Sequence, residues 1–332
     1  MKIIKYFIII FILFSSSLAF AEIQTFDDWL KSFKKKALLN NISEKTFIKT
    51  MSKVKYLPNV IKYDRYQPEF YENTITYISK RTSKKKLSKG IELYKKNYKI
   101  INSIEKEFSV EKELLLALMG IETNFGTYLG KMNILSSLAT LSFDKRRSDF
   151  FTNELITVLQ LVESGVIDHK MLFGSWAGAY GNFQFMPTSI KKYAIDYNSN
   201  NKIELKTIED SFASAANYMN KIKWKHNEPC FIKVDLSENI PKSFLNKSAK
   251  KINNKKKLSY FKKYLINYDD INVNKNLLVG IITPDKDIIE DALNFKPAYI
   301  VFENYELILK WNRSLRFALA VCTLKEKFEN EL

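Results

Sequence analysis

The sequence predicts a mostly α fold of the α+β class, with helices at both ends and a small antiparallel β insertion before the last helical stretch. Three observations carry this expectation. Apolar residues recur at helical spacing, as at Phe26, Trp29, Leu30, Phe33 and Ala37. β-branched and aromatic runs concentrate in residues 229–303, in CFIKVDL, LLVGIITP and AYIVFEN. Seven of the nine glycines lie between positions 120 and 181, where backbone must turn tightly or approach something closely.

In chain order, residues 1–21 (MKIIKYFIIIFILFSSSLAFA) carry an early positive charge, an apolar run and a small-residue cleavage site, the pattern of a secretory signal. A membrane anchor is the other reading, but the apolar run to Phe14 is short for spanning and serines interrupt it. Residues 22–100 read as an N-terminal helical domain. Ser43 offers a cap to EKTFIKTMSKV, KYDRYQPEF (62–70) is a polar, aromatic connector, and SKKKLSKGIELYKKNYKIINSIEKEF is a long helical pattern. Residues 101–228 hold the glycine cluster and the expected site. Residues 229–303 are the β insertion, with a lysine- and asparagine-rich middle, and residues 304–332 return to helix.

The formal net charge is +17 and stays strongly positive once Lys2 and Lys5 are set aside. An exported basic protein suits an anionic polymer or a membrane face; a solvated lysine-rich surface is the plainer reading, and nucleic acid fits the charge but not the export. Cys230 and Cys322 are able to pair in an oxidising compartment, though spacing leaves their proximity open. No cysteine follows the cleavage site, so no lipid anchor is expected there. The histidines are His169 and His226, and without CxxC or HExxH zinc chemistry has no support.

Glu122 draws attention first. On a helix from about Glu111 it shares a face with Leu115, Leu118 and Met119, where desolvation would favour a protonated carboxyl able to act as a general acid. A helix-end glutamate reaching water is the alternative. GSWAGAYGNFQFMPTS (174–189) is not a nucleophile elbow; Ser175, Gln184 and close backbone can line a groove for a sugar chain, or form a tight core turn. Arg146 and Arg147 can pair with a carboxylate or donate to sugar oxygens. Asp196, Asn198, Asn200 and the Lys202 carbonyl follow calcium-loop spacing, with Asn201 at the left-handed sixth place, Thr207 where a glutamate is usual and Asp210 able to reach back; a metal-free asparagine turn is the other reading.

With these pieces in order, the chain resembles the B-type lytic murein transglycosylases, from about Phe26 to Phe328. GIETNFGTYLGKMNILSSLATLSFDKRR, GSWAGAYGNFQFMPTSIKKYAIDYNSN, FASAANYM and NYELILKWNRSLRFALAV carry the likeness. The resemblance implies a lysozyme-like helical core and a catalytic glutamate at Glu122. It implies substrate contacts at Ser175, Gln184, Tyr218 and Asn312 with Arg146 and Arg147 nearby, and a structural calcium on Asp196, Asn198, Asn200, Lys202 and Asp210. Trp311, Arg316 and Phe317 stand where the family commonly has tyrosines, so a hydroxyl at 317 is missing, and the calcium loop departs at Asn200, in an aspartate's place, and at Asn201, where glycine is usual.

The implied substrate is the glycan of peptidoglycan, met in the periplasm by a monomer working beside other cell-wall proteins, with no cofactor needed for the chemistry and no nucleic acid partner. Ordinary glycosidases use two carboxylates, whereas this motif supplies one; Asp144, Asp149 and Glu154 are near in sequence without an assigned role. The implied reaction closes the sugar's own C6 hydroxyl on its anomeric carbon. A hydrolytic muramidase and a non-catalytic wall-binding scaffold are the rival readings.

Overall fold

The computed structural model describes residues 25–67, 71–286, 289 and 295–332. The signal segment 1–21 and the end of the KYDRYQPEF connector lie outside the described residues. Among those described, no helix is long and apolar enough to cross a membrane.

Helices form where caps and apolar spacing agree. Thr25 caps α1 (Phe26–Leu39) by accepting the Asp28 amide at 3.2 Å, and Asp27 and Asp28 complement the helix dipole. Ser43 caps α2 (Glu44–Met51) through the Thr46 amide, as its position predicts. α3 (Pro58–Arg65) opens on proline, whose missing N–H costs nothing in a first turn, and Asn73 caps α4 (Thr74–Arg81). α5 (Lys84–Phe108) is the long helical pattern. It is broken at Asn97 (φ −123°), whose side-chain amide donates to the Leu93 carbonyl at 2.8 Å.

α6 (Lys112–Thr123) is apolar almost all round and buried from Glu113 to Gly120, as a central helix must be. Around it come α7 (Ile134–Phe143), α8 (Ser148–Glu163), α9 (Pro187–Tyr193) and α10 (Ile208–Lys221). A two-stranded ribbon, β1 (Met132–Asn133) with β2 (Phe173–Gly174), pairs Met132 with Gly174 and ties the glycine-rich segments together.

The β insertion contains β3 (Phe231–Val234), β4 (Leu245–Asn246), β5 (Lys256–Lys257), β6 (Leu278–Ile282) and β7 (Ala298–Val301). Its order is β3-β7-β6-β4, with β5 also on β6; all pairs are antiparallel except β4–β6, which is parallel. It buries a core of its own, including Val234, Leu258, Phe261, Val279, Ile281 and Ile300.

The chain then returns through α11 (Glu303–Trp311) and α12 (Leu315–Glu329), and α12 packs along α6 and α4. Fully buried Phe328 meets Phe125 edge-on at 6.4 Å just beyond α6. Burying one such ring contributes about 1.5–3 kcal/mol. The mostly helical α+β expectation therefore holds.

Several contacts join the insertion to the helices, among them a disulfide and a buried ion pair. Cys230 and Cys322 form a disulfide, Cα atoms 6.0 Å apart, that ties the start of the insertion to α12 across 92 positions. Buried Asp285 accepts Arg316 of α12 at 2.8 Å and the Thr74 amide of α4 at 3.0 Å. Arg316 therefore serves an internal ion pair, which explains its departure from tyrosine: a buried carboxylate needs a fixed cation.

Candidate active site

Glu122 sits in the last turn of α6, half-buried, with Leu115, Leu118 and Met119 buried behind it. The chain leaves the helix through three consecutive left-handed residues: Asn124 (φ 50°), Phe125 (φ 57°) and Gly126 (φ 75°). Such backbone costs free energy at the two non-glycine positions and persists only where surroundings hold it. Phe125 is locked against Phe328. Thr123 Oγ1 donates to the Asn182 carbonyl at 2.8 Å and accepts the Gly126 amide at 3.0 Å. Asn182, buried, in turn donates to Ser211 Oγ at 3.0 Å and to the Lys206 carbonyl at 3.2 Å. The glutamate thus stands on a turn braced by α10 and α12.

From the far end of the sequence, Trp311 Nε1 donates to Glu122 Oε1 at 2.9 Å. The indole is itself held in a stack: its ring lies 4.7 Å from Tyr218 at 18°, and Tyr218 lies 4.1 Å from Tyr193 at 8°. Phe185 meets the indole edge-on at 5.3 Å. Aromatic surfaces fix the ring while its one N–H faces the acid.

The other singled-out residues are distributed as follows. Tyr218 is buried, and its hydroxyl, pushed up to about 12 by burial and then by Tyr193, donates to the Lys310 carbonyl at 3.0 Å. Asn312 follows Trp311 directly as the half-buried C-cap of α11. Gln184, left-handed at φ 50°, lies between Phe183 and Phe185; its amide donates to the Gly181 carbonyl at 2.9 Å. Ser175 Oγ accepts the Ala179 and Ala177 amides at 2.9 and 3.2 Å, which leaves its hydrogen to donate elsewhere. Its segment lies against Gly130 (φ 80°), where a Cβ would meet the Gly174 carbonyl oxygen at 2.1 Å, so only glycine permits the approach. Glu122, Trp311 and Tyr218 are therefore joined through the aromatic stack, and Asn312 and Gln184 adjoin Trp311 and Phe185 in the chain.

Arg146 and Arg147 both converge on buried Asp64. Arg146 Nε donates to Asp64 Oδ2 at 2.7 Å, Arg147 binds Oδ1, and each side chain keeps 40 % of its surface. Of the three acids without a role, two have partners of their own and one is exposed. Asp144 pairs with Arg65 at 2.7 Å, and Asp149 is exposed in the first turn of α8. Glu154, raised by burial, accepts the Thr188 amide and hydroxyl at 2.9 and 2.7 Å.

A cavity of about 530 Å³ opens beside Glu122, bounded by the start of α5 and the segment 121–128. Glu122 is the one carboxylate among the described residues lining it. Lys86 Nζ donates to the Gly120 carbonyl at 2.7 Å and Lys89 Nζ to the Asn124 carbonyl at 2.9 Å, so two cations cap the terminus that carries the acid. Neither lysine, nor Asn182, was legible as part of the site from local sequence; the one available signal was the lysine run at 84–86.

The loop from Asp196 closes on itself. Asp196 accepts the Asn200 and Asn201 amides at 3.1 and 2.7 Å, Asn198 accepts Asn200, and Asn200 accepts Lys202. Asn201 is left-handed (φ 67°), as its place predicts. Asp210, fully buried, accepts the Tyr197 and Glu204 amides at 2.9 and 2.8 Å. Glu204 at the ninth place, which sequence reading passed over, faces Asn200 at 3.0 Å. Among the described residues no three His, Cys, Asp or Glu side chains converge as a metal group, so a cation here would rest largely on amide and backbone oxygens. Those donors fit a hard ion.

With this geometry in place, comparison with known proteins is decisive. Residues 25–326 match the family described as the transglycosylase SLT domain. The chain belongs to the transglycosylase SLT domain family. A relative, membrane-bound lytic murein transglycosylase B of Escherichia coli K12, is 32% identical over 175 residues, 52% of this chain and 48% of the relative. The match thus spans about half of that protein. Among solved structures of the transglycosylase fold, SltB3 from Pseudomonas aeruginosa in complex with NAG-anhNAM-pentapeptide superposes with a TM-score of 0.80 at 27% identity, covering 92% of this chain and 80% of that one. The Escherichia coli lytic transglycosylase Slt35 in complex with calcium gives a TM-score of 0.74 at 24% identity, covering 91% and 93%.

Proposed function

We propose that this chain is a lytic transglycosylase. It cleaves the β-1,4 bond between N-acetylmuramic acid and N-acetylglucosamine in peptidoglycan, in the periplasm, with Glu122 as acid and then base. The observation that carries this reading is a single carboxylate, fixed by Trp311, at the mouth of a cavity with no second acid among its described lining residues. Family membership supports it, as do the murein relatives.

Protonated Glu122 gives its proton to the bridging oxygen, and the C1–O bond breaks. The muramic acetamido oxygen shares the positive charge at C1. Glu122, now a carboxylate, takes the proton of the C6 hydroxyl, O6 bonds to C1, and the acetamido group is released. The product is a 1,6-anhydromuramoyl end, and no water enters. In this reading Ser175, Gln184, Tyr218 and Asn312 line the glycan path, and Arg146 and Arg147 rim it with the guanidinium surface that Asp64 leaves exposed. Digestion of purified sacculi followed by mass analysis tests the proposal. Anhydro-ended muropeptides are expected. Products heavier by one water would make the protein a muramidase, and binding without fragment release would make it a scaffold.

We further propose that the 196–210 loop takes a structural calcium through Asp196, Asn198, Asn200, the Lys202 carbonyl and Asp210, with no part in the chemistry. With so few carboxylates the affinity should be weak. Calcium at tenfold its Kd should add about 1.4 kcal/mol, raising the thermal midpoint by about 3 °C, and a chelator should reverse it. A midpoint that ignores about 10 mM calcium would leave the loop as an asparagine turn.

A further inference from the structure

The β insertion holds a run of charge that the proposed reaction does not use. Residues 239–268 carry nine lysines and no aspartate or glutamate, so no carboxylate of that segment can neutralise them. After β5 the chain enters a 3₁₀ helix, Leu258–Tyr264. Its three-residue repeat buries Leu258, Phe261 and Tyr264 and leaves Tyr260, Lys262 and Lys263 outside. Tyr260 is 44% exposed, and Lys256 of β5 and Lys263 stand over its ring at 5.8 and 5.9 Å. Across the ladder to β6, Lys257 faces Leu278, which is 61% exposed. Lys255 takes Glu306 at 2.6 Å, whereas Lys256, Lys257, Lys262 and Lys263 pair with no carboxylate among the described residues. Guarding an open sheet edge against other strands explains the lysines of β5. It does not explain Lys262 and Lys263, which lie beyond the strand, or an exposed leucine beside them, which weakens such a guard.

We infer that this edge of the β insertion docks on an anionic phospholipid bilayer, with the four lysines at the headgroup phosphates and Tyr260 and Leu278 in the interface. The inference goes beyond the activity proposed above and does not depend on it. Charge sets the sign of the partner, and the apolar side chains set its kind. A hydrated anionic polymer would satisfy the ammonium groups but would give Leu278 nothing to enter. A bilayer interface takes both, because lysine stems lie along apolar surface while their heads stay in water, and tyrosine rings settle at headgroup level. Each lysine near an anionic surface contributes about a fivefold gain in partitioning, and the attraction falls off within a Debye length. The contact is therefore reversible and sensitive to salt. None of the described residues lining the Glu122 cavity belongs to this edge, so a docked molecule keeps that cavity's lining out of the contact.

Cosedimentation with vesicles tests this, using the chain from residue 22 so that the apolar run of the signal segment takes no part. Wild type should sediment with vesicles of phosphatidylglycerol and phosphatidylcholine in equal parts, and not with phosphatidylcholine alone. Raising salt from about 0.1 M to about 1 M should release it. Lys256→Gln with Lys263→Gln should lower partitioning about thirtyfold. Leu278→Ser, which leaves the charge unchanged, should lower it about tenfold. Lys95→Gln with Lys96→Gln, at exposed sites on α5, removes the same charge elsewhere and should change it less than about twofold. Wild type that ignores the anionic vesicles would overturn the proposal, as would an equal loss in the α5 control, which would leave net charge alone as the cause. Binding to purified sacculi that falls in the Lys256 and Lys263 variant, with Leu278→Ser unchanged, would replace the bilayer with a wall polymer. Melting curves check that the variants fold, and the wild-type comparison of lipids stands without them. No arm uses cleavage, so this outcome is separate from that of the transglycosylase reading.

Discussion

Glu122→Gln should fold normally and release no soluble fragments from sacculi, a loss of at least about 10³-fold in rate. The substitution keeps size and shape, and the glutamine oxygen can still accept the Trp311 N–H that now meets Oε1 at 2.9 Å. What it removes is the ability to give a proton to the bridging oxygen and later take one from the C6 hydroxyl. No neighbour can substitute: Asp144 is held by Arg65, Glu154 by Thr188, and the cavity lining holds no other described carboxylate. Fragment release and the thermal midpoint, measured on the same preparation, check both halves. An unchanged midpoint with lost activity supports the assignment, whereas retained activity removes Glu122 from the chemistry. Glu122→Asp gives a graded control, since it keeps the acid but withdraws it by one methylene from both the indole and the substrate.

The features legible in the sequence share a physical property: they are local. Ser43 caps α2 because its hydroxyl meets an amide three residues on, and the alternating oxygen side chains from Asp196 close a loop around left-handed Asn201. β3, β6 and β7 appear where β-branched or aromatic runs lie, whereas β4 and β5 fall in the lysine- and asparagine-rich middle, and the parallel β4–β6 pair falls outside the antiparallel expectation. The unread features are contacts between distant residues of unremarkable local pattern. Asp64 meets Arg146 and Arg147 from more than eighty positions away, 82 and 83 respectively, and Asp285 meets Thr74 across 211. Nothing in KYDRY or in TPDK announces a buried carboxylate; only packing supplies its partner.

The departures at 311, 316 and 317 gain a physical account in the same way. Phe317 is buried and brings no hydroxyl toward Glu122, and Arg316 turns inward to Asp285. The donor to the acid comes instead from Trp311, where an indole N–H does what a tyrosine hydroxyl is able to do. Two apparent losses and one replacement amount to a redistribution: a polar contact kept at the glutamate, and an ion pair placed between α12 and the β insertion.

Trp311→Phe isolates that contact. Phenylalanine keeps a ring to stack on Tyr218 and to meet Phe185, so the aromatic column should survive and the thermal midpoint should move little. It deletes the indole N–H that donates to Glu122 Oε1. A hydrogen bond to an ionised group contributes about 1.5–3 kcal/mol, which sets an expected fall in kcat of about 10- to 100-fold. KM should change much less, because Trp311 positions the acid and the lost bond acts through Glu122. Trp311→Tyr, which restores a hydroxyl donor on a ring of similar stacking surface, should recover part of the loss. Steady-state kinetics on sacculus-derived strands with a parallel melting curve separate the outcomes. A fall in kcat with an unmoved midpoint and partial rescue by tyrosine identifies a positioning contact. A fall in midpoint that tracks activity, with no rescue, would assign the indole to packing alone, and unchanged kcat would show that α6 and the braced turn at Asn124–Gly126 hold the carboxyl unaided.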